Sequence, residues 1–240
     1  MGRSRLRRND LGWREEAKKR AALEAVKHVQ NGHIIGLGSG STAAYAIELM
    51  GERARKEKLR ILGVPTSHQA FAQAIRCGVP VTTLDEHPRL DLAIDGADQV
   101  DGELNLIKGM GAALTREKIV AASSKQFIII ADETKLAKKL GTDQPVPIEV
   151  VPFALEPVTL KMREMRGKPV VREGKGKVGP VVTDNGNFIV DVNFGPIDTP
   201  KELESQLRVV PGVVETGLFV GMADIVYVSA PKAVRKLERK

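Results

Sequence analysis

Four short segments of the chain combine small or flexible residues with groups that can bind an anion or move a proton. They are GLGSGST at Gly36–Thr42, DGAD at Asp95–Asp98, KGMGAALTRE at Lys108–Glu117, and Lys135 in IIIADETK. Carboxylates suit general acid–base catalysis, and lysines can stabilise a developing oxyanion. Glycine loops that open a helix suit phosphate binding. Together these residue types could bind an anion and stabilise an oxyanion, and no single segment decides the chemistry.

The glycine loop is rich in small hydroxyls, and Ser39, Ser41 and Thr42 are expected to donate to one terminal phosphate. A G-x-G-x-x-G dinucleotide fingerprint from Gly36 would need a glycine where Ser41 stands, and no acid follows the next strand at the position that binds a ribose. A Walker loop would need a lysine before its Ser or Thr. The alternative for this segment is a plain glycine turn with a Ser cap.

The carboxylates and lysines follow apolar runs, which the pattern interprets as strands. In an open parallel sheet, ligands bind outside the carboxyl ends of the strands, so these segments are expected to face one crevice. Lys108 is expected to stabilise an oxyanion, with Gly109 and Gly111 allowing close backbone approach. The alternatives are an Asx turn at Asp95–Asp98, a solvated helix end at Glu117 and a surface lysine at Lys135.

Apolar runs that alternate with helical patterns position these segments. The helical patterns cover Trp13–Val29, STAAYAIELM, SHQAFAQAIRC and ALTREKIVAAS. The strand patterns are HIIGL, LRILGV, VPVTTL, LDLAID and QFIIIA. Strands that are apolar throughout and alternate with helices predict a Rossmann-like α/β fold, a parallel sheet covered by helices on both faces.

The pattern changes after residue 141. VPIEVV, the helical PVTLKMREM, PVVRE, a hairpin at Asn185-Gly186, the helical TPKELESQLRV and VVETGLFV predict a small α+β domain of the ferredoxin-like kind. ADIVYVSA is predicted as a further strand of the first sheet and PKAVRKLERK as a final helix. The predicted domains are residues 1–141 with 222–240, and an inserted domain at 142–221.

Composition excludes several classes of protein. The chain has 240 residues, 42% of them hydrophobic, and a net charge of +7. With aromatic residues at 4% and no nucleic-acid-binding motif, no nucleic-acid partner is expected. Cys77 is the single cysteine and the four histidines are scattered, so no disulfide and no metal site are predicted. Lacking a signal segment or a long apolar run, the protein is expected to be cytoplasmic with no membrane partner.

In this order the motifs resemble type A ribose-5-phosphate isomerase, from about Trp13 to the C-terminus. The resemblance is carried by GLGSGSTAA, DGADQVD, IKGMGAALTREKIV, IIIADETK, VPIEVVP, VVTDNGNFIVDV and PGVVETGLF. The family often has Thr in place of Ser39 and Gly in place of Met110. The resemblance implies interconversion of D-ribose 5-phosphate and D-ribulose 5-phosphate in the pentose phosphate pathway, without metal or cofactor. It also implies a homodimer or homotetramer.

Carried over by position, the resemblance implies that Glu117 is the proton acceptor in an enediolate mechanism. Asp95, Asp98 and Lys108 are the other expected catalytic groups. The expected substrate-binding residues are Ser39, Gly40, Ser41, Thr42, Asp95, Gly96, Ala97, Asp98, Lys108, Gly109, Met110, Gly111 and Lys135.

Two rivals share this fold. One is the sugar-phosphate-sensing domain of a regulator, which would ordinarily carry an N-terminal helix-turn-helix. The other is a coenzyme A transferase relative, whose covalent mechanism uses a Glu. An isomerase alone among the three needs no second substrate to convert its sugar phosphate.

Overall fold

A computed structural model of the protein describes the backbone of residues 2–239 and the side chains of residues 12–239. The basic N-terminal residues Arg3, Arg5, Arg7 and Arg8 lie outside the described side chains. The α-helices of the described residues are α1 Gly2–Val26, α2 Gly40–Glu57, α3 His68–Cys77, α4 Leu114–Ala122, α5 Leu155–Glu164 and α6 Pro200–Arg208. Two 3-10 turns lie at Glu133–Lys135 and Pro152–Ala154.

The strands form three sheets. They are β1 Ile34–Leu37, β2 Leu62–Pro65, β3 Leu92–Gly96, β4 Gln99–Val100, β5 Leu106–Ile107, β6 Phe127–Asp132, β7 Val146–Val150, β8 Lys168–Val171, β9 Phe188–Asn193, β10 Val213–Thr216, β11 Leu218–Phe219, β12 Ile225–Ser229 and β13 Val234–Glu238.

The chain divides into two compact units. The first contains Met1–Gly96, Val120–Lys135 and Asp224–Lys240, and the second contains Ala97–Ile119 and Leu136–Ala223. The division of the chain into domains at residues 141 and 222 stays a prediction. Residues 97–119, which the sequence analysis placed in the first domain, belong to the second compact unit of the structure. In that unit β5 pairs with β11.

The first unit contains the predicted parallel sheet, which the structure confirms. Its strand order is β13-β12-β6-β3-β1-β2, and every neighbouring pair is parallel except β12 with β13. β6 and β12 are buried along their whole length, as strands covered on both faces must be. On one side, α1 packs against α2 and β6, and its Ala21 and Ala25 belong to the buried core of this unit.

The second unit contains the predicted α+β arrangement. Its four-stranded sheet has the order β10-β7-β9-β8 and is antiparallel throughout. The chain order of strand, helix, two strands, helix and strand confirms the ferredoxin-like prediction. The predicted turn at Asn185-Gly186 is also present, with Gly186 at φ +82°. The residues before the turn do not form a full strand and pair with β9 through a single bridge between Val182 and Phe188. A separate three-stranded sheet joins β4, β5 and β11.

Three of the predicted elements differ in the structure. The predicted C-terminal helix is wrong: Val234–Glu238 is an edge strand paired with β12, because backbone pairing outweighs the helix propensity of its Arg, Lys, Leu and Glu. The predicted strand VPVTTL is reduced to a bridge between Gly63 and Val81, since Pro80 has no N–H to donate. The predicted strand VVETGLFV is split at Gly217 between two sheets.

The first helix is also longer at its N-terminus than predicted and ends earlier, at Val26. Within the described part of the chain, no helix combines the length and apolar character needed to cross a membrane.

Asp91 connects the first residue of β1 to Lys125, which lies just before β6. Its Oδ2 accepts a hydrogen bond from the Ile34 amide at 2.9 Å, and its Oδ1 accepts one from Lys125 Nζ at 2.8 Å. Hydrogen bonding from the Lys125 ammonium, then from the Ile34 amide, lowers the pKa of Asp91. A lowered pKa in the folded state means that the ionised carboxylate stabilises the fold above its ordinary pKa near ~3.9, and that this stabilisation is lost as the pH falls.

We therefore expect Asp91→Asn to lower the free energy of unfolding by about 1 kcal/mol at pH 7. The difference from wild type should shrink as the pH falls below about 4. Urea unfolding at pH 7 and pH 3.5 measures both values. Asp85→Asn, at an exposed carboxylate of the same unit, is the matched control. A difference that stays constant with pH would contradict the assignment.

Candidate active site

The two units divide the predicted site residues into two groups. The first unit holds Ser39, Gly40, Ser41, Thr42, Asp95, Gly96 and Lys135. The second unit holds Ala97, Asp98, Lys108, Gly109, Met110, Gly111 and Glu117. The division falls within the DGAD segment, between Gly96 and Ala97.

The residues of the first group lie at the carboxyl edge of the parallel sheet. Ser39 follows β1, Asp95 and Gly96 end β3, and Lys135 lies three residues after the end of β6. Because β1, β3 and β6 are parallel, all three strands end at this edge. Lys135 is half-buried there. This is the edge at which open α/β sheets bind ligands.

Asp95 is held by the glycine loop. Its Oδ1 accepts hydrogen bonds from the backbone N–H of Ser39 at 3.1 Å and of Gly96 at 2.7 Å, and the side chain is buried. A Cβ at Gly38 would lie 2.2 Å from the same oxygen. Glycine is therefore required at residue 38 so that the loop and the carboxylate can approach each other.

The Ser-cap alternative for the loop is wrong. Ser39 occupies the N-cap position of α2, but its side chain makes no capping hydrogen bond. Its hydroxyl lies 2.7 Å from Thr66 Oγ1 and donates to Ser67 Oγ at 2.6 Å, both at the end of β2. The Gly40 N–H donates to Gln69 Oε1 at 2.8 Å. The loop is thus fixed by residues that follow the second strand.

The first turn of α2 is suited to an anion. It contains no acidic residue, and the helix dipole places partial positive charge there. Lys18 of α1 donates to Ser41 Oγ at 3.1 Å and also pairs with Glu15 at 2.6 Å. Since Ser41 Oγ accepts that bond, its own hydroxyl hydrogen can point toward a ligand.

In the second unit, Lys108 and Glu117 form a buried ion pair. Lys108 Nζ lies 3.3 Å from Glu117 Oε2, and the two side chains are only 3% and 6% exposed. The alternative of a solvated helix end at Glu117 is therefore wrong. Lys108 Nζ also lies 5.5 Å from the centre of the Phe219 ring, within the range of a cation–π contact.

The backbone around Lys108 is held by close contacts. The Lys108 N–H donates to the Gly217 carbonyl at 2.9 Å, and a Cβ at Gly217 would lie 2.3 Å from the Lys108 carbonyl oxygen. Gly109 has a φ of +105°, in the left-handed region that glycine adopts without strain. The split of the strand VVETGLFV at Gly217 therefore allows the chain to approach Lys108 closely.

The loop after Lys108 is bound from two sides. Asp98 Oδ2 accepts a hydrogen bond from the Met110 N–H at 3.0 Å. Arg172 Nη1 donates to the carbonyls of Gly109 and Met110 at 2.9 and 3.0 Å, while its Nε donates to Asp191 at 2.7 Å. Met110 and Gly111 themselves are exposed and Ala97 is half-buried.

Sequence reasoning missed several residues that hold these groups. They are Lys18, Thr66, Ser67, Gln69 and Arg172. The segment PTSHQ after β2 did offer a signal, because hydroxyls at a strand end could have been read with the glycine loop. Arg172 lies more than 60 positions from the loop it binds, and no local spacing indicates that contact.

Comparison with known proteins bears on this arrangement. Residues 62–233, more than half of the chain, match the family model described as ribose 5-phosphate isomerase A (phosphoriboisomerase A). The chain is 51% identical over 223 residues to ribose-5-phosphate isomerase A of Methanosarcina acetivorans, covering 93% of this chain and 94% of the relative. It is 49% identical over 226 residues to that of Pyrococcus abyssi, covering 94% and 99%.

Solved structures agree with the sequence comparison. Ribose 5-phosphate isomerase A of Methanocaldococcus jannaschii superposes with a TM-score of 0.90 at 46% identity, covering 93% of this chain and 99% of that one. A D-ribose-5-phosphate isomerase solved in complex with phospho-erythronic acid gives a TM-score of 0.92 at 48% identity, covering 94% and 99%. With the family model and these relatives in agreement, the chain belongs to the ribose 5-phosphate isomerase A family.

Proposed function

We propose that the chain interconverts D-ribose 5-phosphate and D-ribulose 5-phosphate, with Glu117 as the proton acceptor. Family membership supports the reaction. The observation that carries the proposed mechanism is the buried pair of Lys108 Nζ and Glu117 Oε2 at 3.3 Å. It combines a base and a cation in surroundings that exclude most water.

Moving a carbonyl between C1 and C2 of an open-chain sugar requires a base. In the direction of the ketose, the base removes the proton on C2, the C2–H electron pair forms the C1–C2 double bond, and the π pair of the C1 carbonyl moves onto O1. O1 then gains a proton and the O2 hydroxyl loses one. An O2 electron pair forms the C2 carbonyl as the C1–C2 π pair takes the proton back from the base at C1. The intermediate is an enediolate with charge on its oxygens. Glu117 is the group that we assign to this transfer, since a carboxylate on a helix can be held rigidly.

Lys108 is close enough to Glu117 to link the charge of this carboxylate to the charge that develops on the substrate. In the resting enzyme its ammonium balances the charge of Glu117. As Glu117 becomes protonated, negative charge develops on the enediolate oxygens, and the same ammonium can stabilise it. Lys108 therefore faces one negative charge before the proton transfer, on Glu117, and one after it, on the enediolate.

The remaining assignments concern binding and proton relay. Asp95 and Asp98 are proposed to open the furanose ring and to move protons between O1 and O2, and the amides that fix Asp95 Oδ1 support a defined orientation. Ser39–Thr42 are proposed to bind the phosphate. Gly96, Ala97, Gly109–Gly111 and Lys135 are proposed as further substrate contacts. A homodimer or homotetramer and a cytoplasmic location stay predictions.

The reaction is tested by incubating the purified chain with D-ribose 5-phosphate alone. We expect D-ribulose 5-phosphate to form to equilibrium, and the rate to be unchanged after dialysis against EDTA, because the mechanism uses only side chains. Ketose formation is followed by absorbance and product identity by NMR. Absence of turnover with binding retained would favour a sensing domain. Turnover only with an acyl-coenzyme A would favour a transferase.

The phosphate loop is tested by Ser41→Ala and Thr42→Ala. Each removes one hydroxyl donor to a charged ligand, so KM should rise about 10-fold while kcat changes less than about threefold. Steady-state kinetics measure both constants. Ser205→Ala, at an exposed helical serine, is the control and should leave KM unchanged. Wild-type KM in both loop variants would mean that the phosphate binds elsewhere.

Glu117→Gln tests the base. Without a carboxylate the C2 proton has no acceptor, so kcat should fall by about 10² to 10⁴. Binding of phospho-erythronic acid, measured by calorimetry, should be largely retained. Glu103→Gln, at an exposed residue of the same unit, is the matched control. Wild-type kcat in Glu117→Gln would exclude this residue as the base.

A further inference from the structure

Glu149 is a buried carboxylate in the middle of the small antiparallel sheet. It lies on β7, between β10 and β9, and is 0% exposed. Its strand neighbours Ile148 and Val150 belong to the apolar core on the other face. Side chains alternate along a strand, so Glu149 points away from that core.

The carboxylate of Glu149 accepts hydrogen bonds from four neutral donors. Oε2 accepts from Thr115 Oγ1 at 2.6 Å. Oε1 accepts from Thr183 Oγ1 at 2.9 Å, Asn185 Nδ2 at 3.0 Å and Asn187 Nδ2 at 2.8 Å. An apolar residue would avoid the desolvation of a charge at this position. The four donors around Glu149 therefore indicate a role that an apolar side chain at this position could not fill.

The donors connect the Thr183–Asn187 turn to the first turn of α4. Thr115 is bound through Glu149, and the next residue, Arg116, binds the turn directly. Arg116 Nε donates to Asn185 Oδ1 at 2.7 Å and its Nη2 to the Asp184 carbonyl at 2.8 Å. Asn185 thus donates to Glu149 and accepts from Arg116. Two successive residues of α4 are fixed, and the residue after them is Glu117.

The position of α4 depends on such contacts. The helix has nine residues, which is too short to be stable by itself. The loop before it includes Ala112 at φ +59°, an unfavourable conformation for a residue with a Cβ. Displacing a catalytic group by about 1 Å can cost on the order of 100-fold in rate.

We propose that Glu149 is a positioning residue for the isomerase reaction. Through Thr115, it fixes the first turn of α4 and so the place from which the Glu117 carboxylate reaches the substrate proton. The proposal rests on the proposed function of Glu117 as the proton acceptor. The rival account is that Glu149 contributes only to stability.

Thr115→Val separates the two accounts. It removes the hydroxyl with little change of shape and leaves Glu149 its three donors from the turn. We expect kcat to fall about 10- to 100-fold with KM within about threefold, since the first turn of α4 would lose one of its two connections to the Thr183–Asn187 turn. Thr115→Ser, which keeps the hydroxyl, should restore kcat to within about threefold of wild type.

Thr159→Val is the matched control. Thr159 is a buried helical threonine of the same unit, and its Oγ1 donates to the Leu155 carbonyl. It has no contact with the network around Glu149. Its kcat should stay within about twofold of wild type. Thermal unfolding of each variant gives the folded fraction with which kcat is corrected.

Three results would overturn the proposal: wild-type kcat in Thr115→Val, equal losses of kcat in Thr115→Val and Thr159→Val, or failure of Thr115→Ser to restore kcat. If Thr115→Val does not fold, Thr115→Ala replaces it. It removes the same hydroxyl and suits a helix, so the fold should persist, and a fall in kcat is expected while wild-type kcat would overturn the proposal.

Glu117→Gln, measured in parallel, distinguishes the two levels of inference. Loss of turnover in Glu117→Gln together with wild-type kcat in Thr115→Val rejects the positioning role and leaves the base assignment intact. Retained turnover in Glu117→Gln rejects the base and, with it, any positioning through Glu117.

Discussion

The burial of the Lys108–Glu117 pair is the constraint on which the second unit depends. Removing two charges from water is costly, and their attraction compensates only when the geometry is good and further contacts are made. Losing one partner of such a pair typically costs ~3–5 kcal/mol. A pair with side-chain exposures of 3% and 6% therefore requires rigid support on both sides. The contacts of Gly217 with Lys108, and of Glu149 with α4, provide that support.

Lys118, a second buried charge beside this pair, is likewise held by oppositely charged partners. Lys118, the residue after Glu117, is also buried, and its Nζ lies 2.9 Å from both Glu204 and Glu215. It approaches the Phe219 ring at 4.9 Å, and Lys108 approaches the same ring at 5.5 Å. The ring thus gives both ammonium groups an electron-rich face where water is scarce. Lys118 balances its charge with two carboxylates of its own, which leaves Glu117 to pair with Lys108.

The parts that the sequence predicted well are those with local signals. Apolar runs that end in Gly, Asp or Lys indicated the parallel sheet. The roles of the glycine loop and of Glu117 came from the family resemblance and stay predictions. The support around them was not predictable in this way. Glu149 lies 34 residues from Thr115, and Arg172 more than 60 from Gly109, so neither contact leaves a periodic pattern. The C-terminal strand was missed because its pairing with β12, and not its own composition, decides its conformation.

Asp95 and Glu117, two of the carboxylates with proposed roles, differ in how they are held, and this difference suits those roles. Asp95 is held by two backbone amides of its own unit, which favour a negative charge at a fixed orientation. Glu117 is paired with the Lys108 ammonium, which in the proposed mechanism also stabilises charge on a substrate oxygen. A group that must bind and release a proton on carbon gains from such a partner, because its protonation does not leave an isolated buried charge. The two amides hold the Asp95 carboxylate at one orientation, which fits ring opening and proton relay rather than abstraction of the carbon-bound proton.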